Sequence, residues 1–416
     1  MWGDIAIAFL LAFITSFMLT PYSIILARKV GAVDVPKDNR RMHTKAMPKL
    51  GGIAVICGFI ISFIYLIITM TIENEGNLDL FSDGEYLRKI LGYFLGLTVL
   101  SITCFIDDIK TIKPIMKLTG QVLAAIIVTL FGLRLGDFDL FFINSTQISE
   151  TLSIILTIGW IVGITNAINL MDGLDGLSSG ITLISCLSLL IIFTLNNSPT
   201  IAIIMITALA GALVGFLPYN FNPAKTFIGD TGSNFLGYTI SIVSILGIAK
   251  TYTVAVVILP IIVLALPIFD TLWAIFRRLV KEKSFKAIFK ADKGHLHHRI
   301  VRRGFSTKQA VFILYGASAC LGMFAVILFD SGIWKALSFA AMVAIIIAFG
   351  LKNFIKPVNE KGSQFECMNC KYIYNPKVGN TVAGINPHTE FDDLPEDWTC
   401  PVCGKDKSHF KLKEIK

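Results

Sequence analysis

The sequence predicts an all-α polytopic membrane protein of about eleven transmembrane helices, followed by a small, separate metal-binding domain. Three observations carry this reading. Of 416 residues, 54% are hydrophobic and only 16% charged, whereas soluble domains run near 25% charged. The apolar residues fall in blocks, most of them near the length of about 20 residues that crosses a bilayer. Past residue 355 the chain turns polar, and two Cys-x2-Cys pairs follow. A soluble globular enzyme and a largely disordered chain are both excluded.

The apolar runs are 5–27, 53–71, 91–106, 118–135, 152–167, 177–195, 201–217, 235–248, 254–276, 310–329 and 333–355. The first lacks a basic leader and a small-residue cleavage site, so it reads as a helix rather than a signal peptide. The eighth is short enough to be a re-entrant segment.

Charge sets the expected orientation. The odd-numbered gaps between runs hold 22 of the 37 Lys and Arg, and the even gaps hold a handful. The second gap is instead acidic, with Glu73, Glu75, Asp79, Asp83 and Glu85. Basic loops stay inside, which places the odd gaps and the C-terminus in the cytosol and the N-terminus outside. The net charge of +8 is therefore read as membrane orientation plus a surface for phosphates, with no nucleic-acid partner.

Five cytosolic gaps carry polar residues that orientation alone does not require. The first, DVPKDNRRMHTKAMPKLGG, sets Arg40, Arg41 and His43 among prolines and glycines; taken alone it is equally a basic inside loop. The third opens with Asp107 and Asp108 directly after an apolar stretch. Two acids at a membrane helix end repel each other unless a divalent cation or a basic partner neutralises them. In the fifth, NAINLMDGLDGLSSG, Asn166, Asn169 and Asp172 form one stripe if the helix continues, and Gly173 and Gly176 leave Asp175 on a tight turn. The seventh, PYNFNPAKTFIGDTGSNF, combines Asn220, Asn222, Lys225 and Asp230 with flanking glycines that let backbone and carboxylate approach a phosphate or metal together. The ninth contains GHLHHRIVRRG, where His295, His297 and His298 stand beside Arg299, Arg302 and Arg303. So much arginine suits phosphate better than zinc. Carboxylates for a divalent cation, with Arg, Lys and His for phosphates, are the parts of a phosphoryl-transfer site.

These five segments, in this order, resemble the signature loops of the polyprenyl-phosphate N-acetylhexosamine-1-phosphate transferases across residues 1–355. DVPKDNRRMH…PKLGG, FIDDIK, NAINLMDGLDGL, PYNFNPAKTFIGDTGS and DKGHLHHR carry the likeness, and Ala46 stands where relatives often have proline. The HLHH form resembles the undecaprenyl-phosphate GlcNAc-1-phosphate branch. The resemblance implies a multi-pass enzyme of the inner (plasma) membrane, acting in cell wall biogenesis with its active site facing the cytoplasm. It would move a sugar-1-phosphate from a UDP-sugar to undecaprenyl phosphate with Mg²⁺, or Mn²⁺ in its place, releasing UMP. It further implies that Asp230 is the principal Mg²⁺ ligand and that Asp107, with Asp108 beside it, is the catalytic base at the lipid phosphate. Arg40, Arg41, His43, Asn169, Asp172, Asp175, Asn220, Lys225, His295, His297, His298 and Arg299 would bind substrate. A homodimer is a further association left open.

The tail is 365–416, joined by a polar linker at 356–364. Cys367, Cys370, Cys400 and Cys403, with 29 residues between the pairs, form a four-thiolate metal signature. A cytosolic tail favours a metal over disulfides. CMNCKYIYNPKVGN…FDDLPEDWTCPVCGKDKSHF resembles rubredoxin, including Tyr372, Tyr374, Pro376, Trp398 and Phe410. That implies one iron and a one-electron carrier with a redox partner; zinc is the alternative. Lys371 and Asn375 replace the usual glycine and aspartate of the first knuckle.

The rival reading is a polytopic transporter, which predicts ionisable residues in the middle of helices. The runs are almost free of charge at their centres, which favours the transferase.

Overall fold

The computed structural model describes residues 2–35, 46–73, 84–135, 150–248, 254–282, 294–354, 364–376, 378–380, 385, 389, 391 and 393–412. They divide into two compact units, Met1–Ala344 and Ile345–Lys416.

The elements of the large unit follow the apolar runs. They are α1 (Trp2–Val30), the short strands β1 (Val33–Asp34) and β2 (Met47–Pro48), α2 (Gly51–Glu73), α3 (Gly84–Ile109), α4 (Pro114–Leu130) and α5 (Glu150–Met171). Then come α6 (Leu177–Leu195), α7 (Thr200–Asn220), α8 (Gly229–Ile248), α9 (Val254–Val263), α10 (Ala265–Glu282), the two-turn α11 (Leu296–Arg302), α12 (Thr307–Ser331) and α13 (Ile333–Phe354), of which only the part up to Ala344 belongs to this unit. The ninth run is two helices, divided at Leu264. Pro267 has no N–H to give the carbonyl of Val263, so the ladder is interrupted there. Among the described residues seven helices are long and apolar enough to cross a membrane: α1, α2, α3, α5, α6, α7 and α12. The four remaining runs lie on α4, α8, α9–α10 and α13. The protein is a multi-pass membrane protein.

The seventh helix is the axis of the bundle, with 83% of its apolar window buried. It packs against α1, α2, α6 and α8, while α3 lies between α4 and α8, and α5 lies along α8. With lipid outside, close backbone approach and polar bonds hold helices together more than apolar burial does. Gly211 and Gly215 of α7 meet α1 so closely that a Cβ would lie 2.3 Å from the Phe9 carbonyl oxygen and 2.4 Å from that of Phe13. The outward face of α1 leaves Ile14, Met18, Tyr22 and Ile25 exposed, as a lipid-facing surface requires.

At one end of the bundle the segment after β2 is locked to the approach to α8. Phe227 donates its N–H to the Pro48 carbonyl at 2.8 Å, and Gly51 and Gly52 donate to Phe227 and Ile228 at 3.0 and 2.9 Å. Gly52 is needed because a Cβ there would lie 2.2 Å from the Cα of Gly232. The PKLGG and FIGDTG motifs are thus two halves of one packed joint.

The small unit has an antiparallel sheet in the order β4 (Ile373–Tyr374), β3 (Phe365–Cys367) and β5 (Phe410–Leu412). Its core is aromatic: Phe365 stacks on Phe391 at 4.1 Å, and Trp398 lies against Phe410 at 5.3 Å.

The Gly52–Gly232 contact is backbone against backbone and cannot relax by a rotamer change. Gly52→Ala should cost about 1–3 kcal/mol, read as a lower thermal unfolding midpoint of the purified protein; an unchanged midpoint would disprove the tight joint.

Candidate active site and metal centre

The carboxylate of Asp108 organises this end of the bundle. The first amides of a helix have no partner within it, and α8 begins GDTGSN with Gly229 at φ +72°. From the end of α3, Asp108 accepts the Asp230 N–H at 3.0 Å, the Thr231 N–H at 2.9 Å and the Thr231 hydroxyl at 2.7 Å. Its side chain is wholly buried, with Lys49 Nζ 3.9 Å away. The sequence reading grouped Asp108 with the catalytic residues. In the structure both its oxygens accept hydrogen bonds from the start of α8, beside Asp230.

Asp107, one residue earlier on the helix, points elsewhere. It accepts the Ile112 N–H at 2.9 Å, and its other oxygen lies 3.5 Å from Lys117 Nζ. Lys117 on α4 is the hub that sequence reasoning missed, counting it only as loop charge. Its ammonium bonds Asp230 directly and donates to Asn169 Oδ1 at 3.1 Å. Asn169 returns its amide N–H groups to Asp230 and to the Ser233 hydroxyl, each at 2.8 Å. Below this layer Asn166 donates to Gln121, and Gln121 to Asn234, at 2.7 and 2.6 Å. The available signal was Lys117 and Gln121 four apart on an otherwise apolar helix, which puts them on one face. Among the described residues three carboxylates therefore face two ammonium groups, Lys49 and Lys117.

The fifth and seventh gaps fold as one unit. Asp172 accepts the Ser178 hydroxyl at 2.6 Å, and burial pushes its carboxyl up to about 7. Asp175 receives the Asn222 amide and the Ala224 N–H at 2.8 and 3.1 Å, pinning the loop after α7. Asn220 is buried, accepts from Ser179 at 2.9 Å and donates to the Thr226 carbonyl at 3.1 Å. These two bonds close the loop after α7 around a residue that the sequence placed among the substrate contacts. Lys225 Nζ lies 5.7 Å over the ring of Tyr219.

The histidine segment divides in the same way. His295 is buried, with Nδ1 2.8 Å from Asp270 and Nε2 3.4 Å from Arg278, so its ring is occupied within the fold. His297 is 2% exposed, and among the described residues neither of its nitrogens has a hydrogen-bond partner. Its ring covers Gly173, where a Cβ would lie 2.3 Å from Nε2. His298 and Arg299 are the least buried of the four expected here. Asp270 was overlooked: it is a buried acid inside the ninth apolar run, an exception to the charge-free helix centres. Arg40, Arg41 and His43 lie outside the described residues.

A family model described as glycosyl transferase family 4 matches residues 90–248. Over 361 residues the chain is 35% identical to a probable undecaprenyl-phosphate N-acetylglucosaminyl 1-phosphate transferase of Bacillus subtilis (strain 168), spanning 87% of this chain and 95% of that protein. The chain belongs to the polyprenyl-phosphate N-acetylhexosamine-1-phosphate transferase family. It is also 30% identical over 377 residues to a decaprenyl-phosphate N-acetylglucosaminephosphotransferase of Mycolicibacterium smegmatis, spanning 83% and 87% of the two chains. With a phospho-N-acetylmuramoyl-pentapeptide-transferase of Limosilactobacillus reuteri (strain DSM 20016) it shares 34% identity over 243 residues, 56% of this chain and 72% of that one.

A rubredoxin model matches residues 364–410, so this member of the transferase family carries a rubredoxin domain. Its four cysteines offer sulfurs that all lie within 4.8 Å of one another. The Cys367–Cys403 and Cys370–Cys400 sulfurs are 3.6 and 3.5 Å apart, close to the edge of about 3.8 Å in a tetrahedron with 2.3 Å metal–sulfur bonds. The sulfurs are built for a metal. Lys371 adopts φ +63°, the left-handed turn that glycine usually supplies, and its ammonium pairs with Glu366 at 3.3 Å. The knuckle therefore keeps its shape despite the substitution.

Burial holds the His297 imidazole down at about 3, against 6.5 when free. A base with a depressed folded value stabilises the fold above its unfolded value, and that stability is lost as pH falls from about 6.5 toward 3. The loss is at most about 1.4 kcal/mol per pH unit, so the unfolding midpoint should fall less steeply with acid in His297→Phe than in the natural protein. In the tail, Cys400→Ser should lower the metal content of the purified protein severalfold; full metal occupancy in that variant would refute the four-thiolate site.

Proposed function

We propose that this protein transfers N-acetylhexosamine-1-phosphate, specifically GlcNAc-1-phosphate, from a UDP-sugar to undecaprenyl phosphate. The products are the lipid-diphosphate-sugar and UMP, and the step opens the membrane stage of a cell-envelope polysaccharide pathway. The observation that carries the reading is Asp107 and Asp230 bracketing Lys117 at the polar end of a membrane bundle. The transferase domain is residues 1–355, the linker 356–364 and the rubredoxin domain 365–416. The basic bias of the odd gaps supports a cytosolic active site and tail.

The donor set suits Mg²⁺, a hard cation that binds one or two carboxylates together with substrate phosphates, and among the described residues carboxylates outnumber ammonium groups there. Asp230 would hold it as its principal ligand. When bound, it neutralises the diphosphate of the nucleotide sugar and the charge that develops on the departing UMP. The chain's own residues do the rest. Asp108 fixes Asp230 through the α8 amides, and Lys117 holds the two acids together and offers positive charge to phosphate oxygens. Asp107 stands as base for the lipid phosphate. A lipid phosphate oxygen forms the new bond to the sugar-bearing phosphorus as the bond to UMP breaks, in one displacement. Asp172, Asp175 and the His297–Arg299 segment shape the nucleotide and sugar side. The tail acts as a one-electron iron carrier.

Membranes containing the protein, given undecaprenyl phosphate, Mg²⁺ and UDP-GlcNAc, should release UMP and form one new lipid product. Asp107→Asn should lower turnover by about 10²–10⁴-fold; normal turnover in that variant would remove Asp107 as base or nucleophile.

A further inference from the structure

The buried acid of α10 has no part in the transfer chemistry of Asp107, Lys117 and Asp230. Asp270 is 1% exposed, in a largely apolar helix segment, ALPIFDTLWAIF, where Thr271 is the one other polar residue. A carboxylate survives there only if it is bonded on both oxygens, and both of its bonds go to one place. Oδ1 accepts the Leu296 N–H at 2.8 Å, and Oδ2 lies 2.8 Å from His295 Nδ1. His295 is the N-cap residue of α11 and caps nothing with its own side chain. Asp270 supplies that cap from another helix.

The same contact selects the state of the imidazole. Opposite a carboxylate, Nδ1 carries the proton, which makes Nε2 the acceptor that faces Arg278 Nη2 at 3.4 Å. Two turns of α10 separate Asp270 from Arg278, so one face of the helix grips both edges of one ring. Arg277 adds a third hold, donating to the Gly294 carbonyl at 2.8 Å. What is held matters for the reaction. The His297 ring lies parallel to His295, 5.8 Å away at 9°, and covers Gly173 in the turn between Asp172 and Asp175. His298 follows, with its ring 4.3 Å from that of His297.

We propose that Asp270 is a positioning residue for the transferase reaction. By capping α11 and fixing the Nδ1–H form of His295, it sets the register that places His297 and His298 against the nucleotide-side turn. The assignment rests on the proposed transferase function and concerns the nucleotide-sugar side of that site.

The test uses the full-length protein in detergent or nanodiscs. Asp270→Asn keeps the shape and still accepts from Leu296, but its amide must donate to Nδ1, which turns Nε2–H toward the Arg278 donor. A displacement of about 1 Å costs on the order of 100-fold, so kcat/KM for UDP-GlcNAc should fall about 100-fold while KM for undecaprenyl phosphate and the unfolding midpoint stay near those of the natural protein. Arg278→Gln added to Asp270→Asn offers Nε2–H an acceptor and should recover at least tenfold. Unchanged kcat/KM in Asp270→Asn overturns the proposal, and so does a loss that Arg278→Gln does not relieve, since a merely structural acid would behave that way. If Asp270→Asn does not fold, His295→Leu breaks the same link from the ring side and should reproduce the loss in kcat/KM. If the natural protein itself releases no UMP, the transferase reading fails separately. Asp270 is then judged by calorimetric UMP binding, weakened at least tenfold in Asp270→Asn if the assignment holds and unchanged if it is wrong.

Discussion

One buried carboxylate sets the geometry on which the rest of this end of the bundle depends. Asp108 leaves α3 and takes the second and third amides and a hydroxyl of α8. In an apolar bundle a helix start with bare amides is costly, and so is an unpaired acid; each cancels the other here. The bond also fixes where α8 begins, and therefore where Asp230, its second residue, can reach. The glycine-to-glycine joint between Gly52 and Gly232 closes the same corner from the other side.

Around that corner, charge is balanced by position rather than by number. Lys117 reaches up from α4 to Asp230 and Asp107, and Asn169 from α5 locks the arrangement. Four helices thus meet in one polar layer, with the Gln121, Asn166 and Asn234 amides forming a second layer beneath it. Several residues that look alike in sequence have different work. Asp107 and Asp108 are neighbours with separate partners, and His295 is held within the fold while His297, among the described residues, has both nitrogens without a partner. The rubredoxin domain folds on other terms. Its aromatic core is small, and four thiolates brought within 4.8 Å of each other make metal binding part of its folding energy.

Much of this is legible along the chain. Hydropathy and loop charge are local properties, so the apolar runs located the helices, and the Cys-x2-Cys pairs identified the metal domain. The five loop motifs named the family, which the relatives bear out. Lys117 and Asp270 were not legible in this way. Each is a single charge in or beside an apolar run, and its meaning depends on a partner elsewhere: Asp230 lies 113 positions from Lys117, and His295 lies 25 positions from Asp270.

Spacing along one chain encodes helix length, motif order and metal-ligand pairs, so the residues alone specified a multi-pass helical enzyme with a thiolate domain. Packing was needed to separate the acid that caps α8 from the acid that lies beside Lys117. It also revealed that Asn220 closes a loop and that a buried aspartate holds the histidine segment. Those roles are set by which side chains meet across helices, where the low dielectric makes every buried charge answer to a particular neighbour.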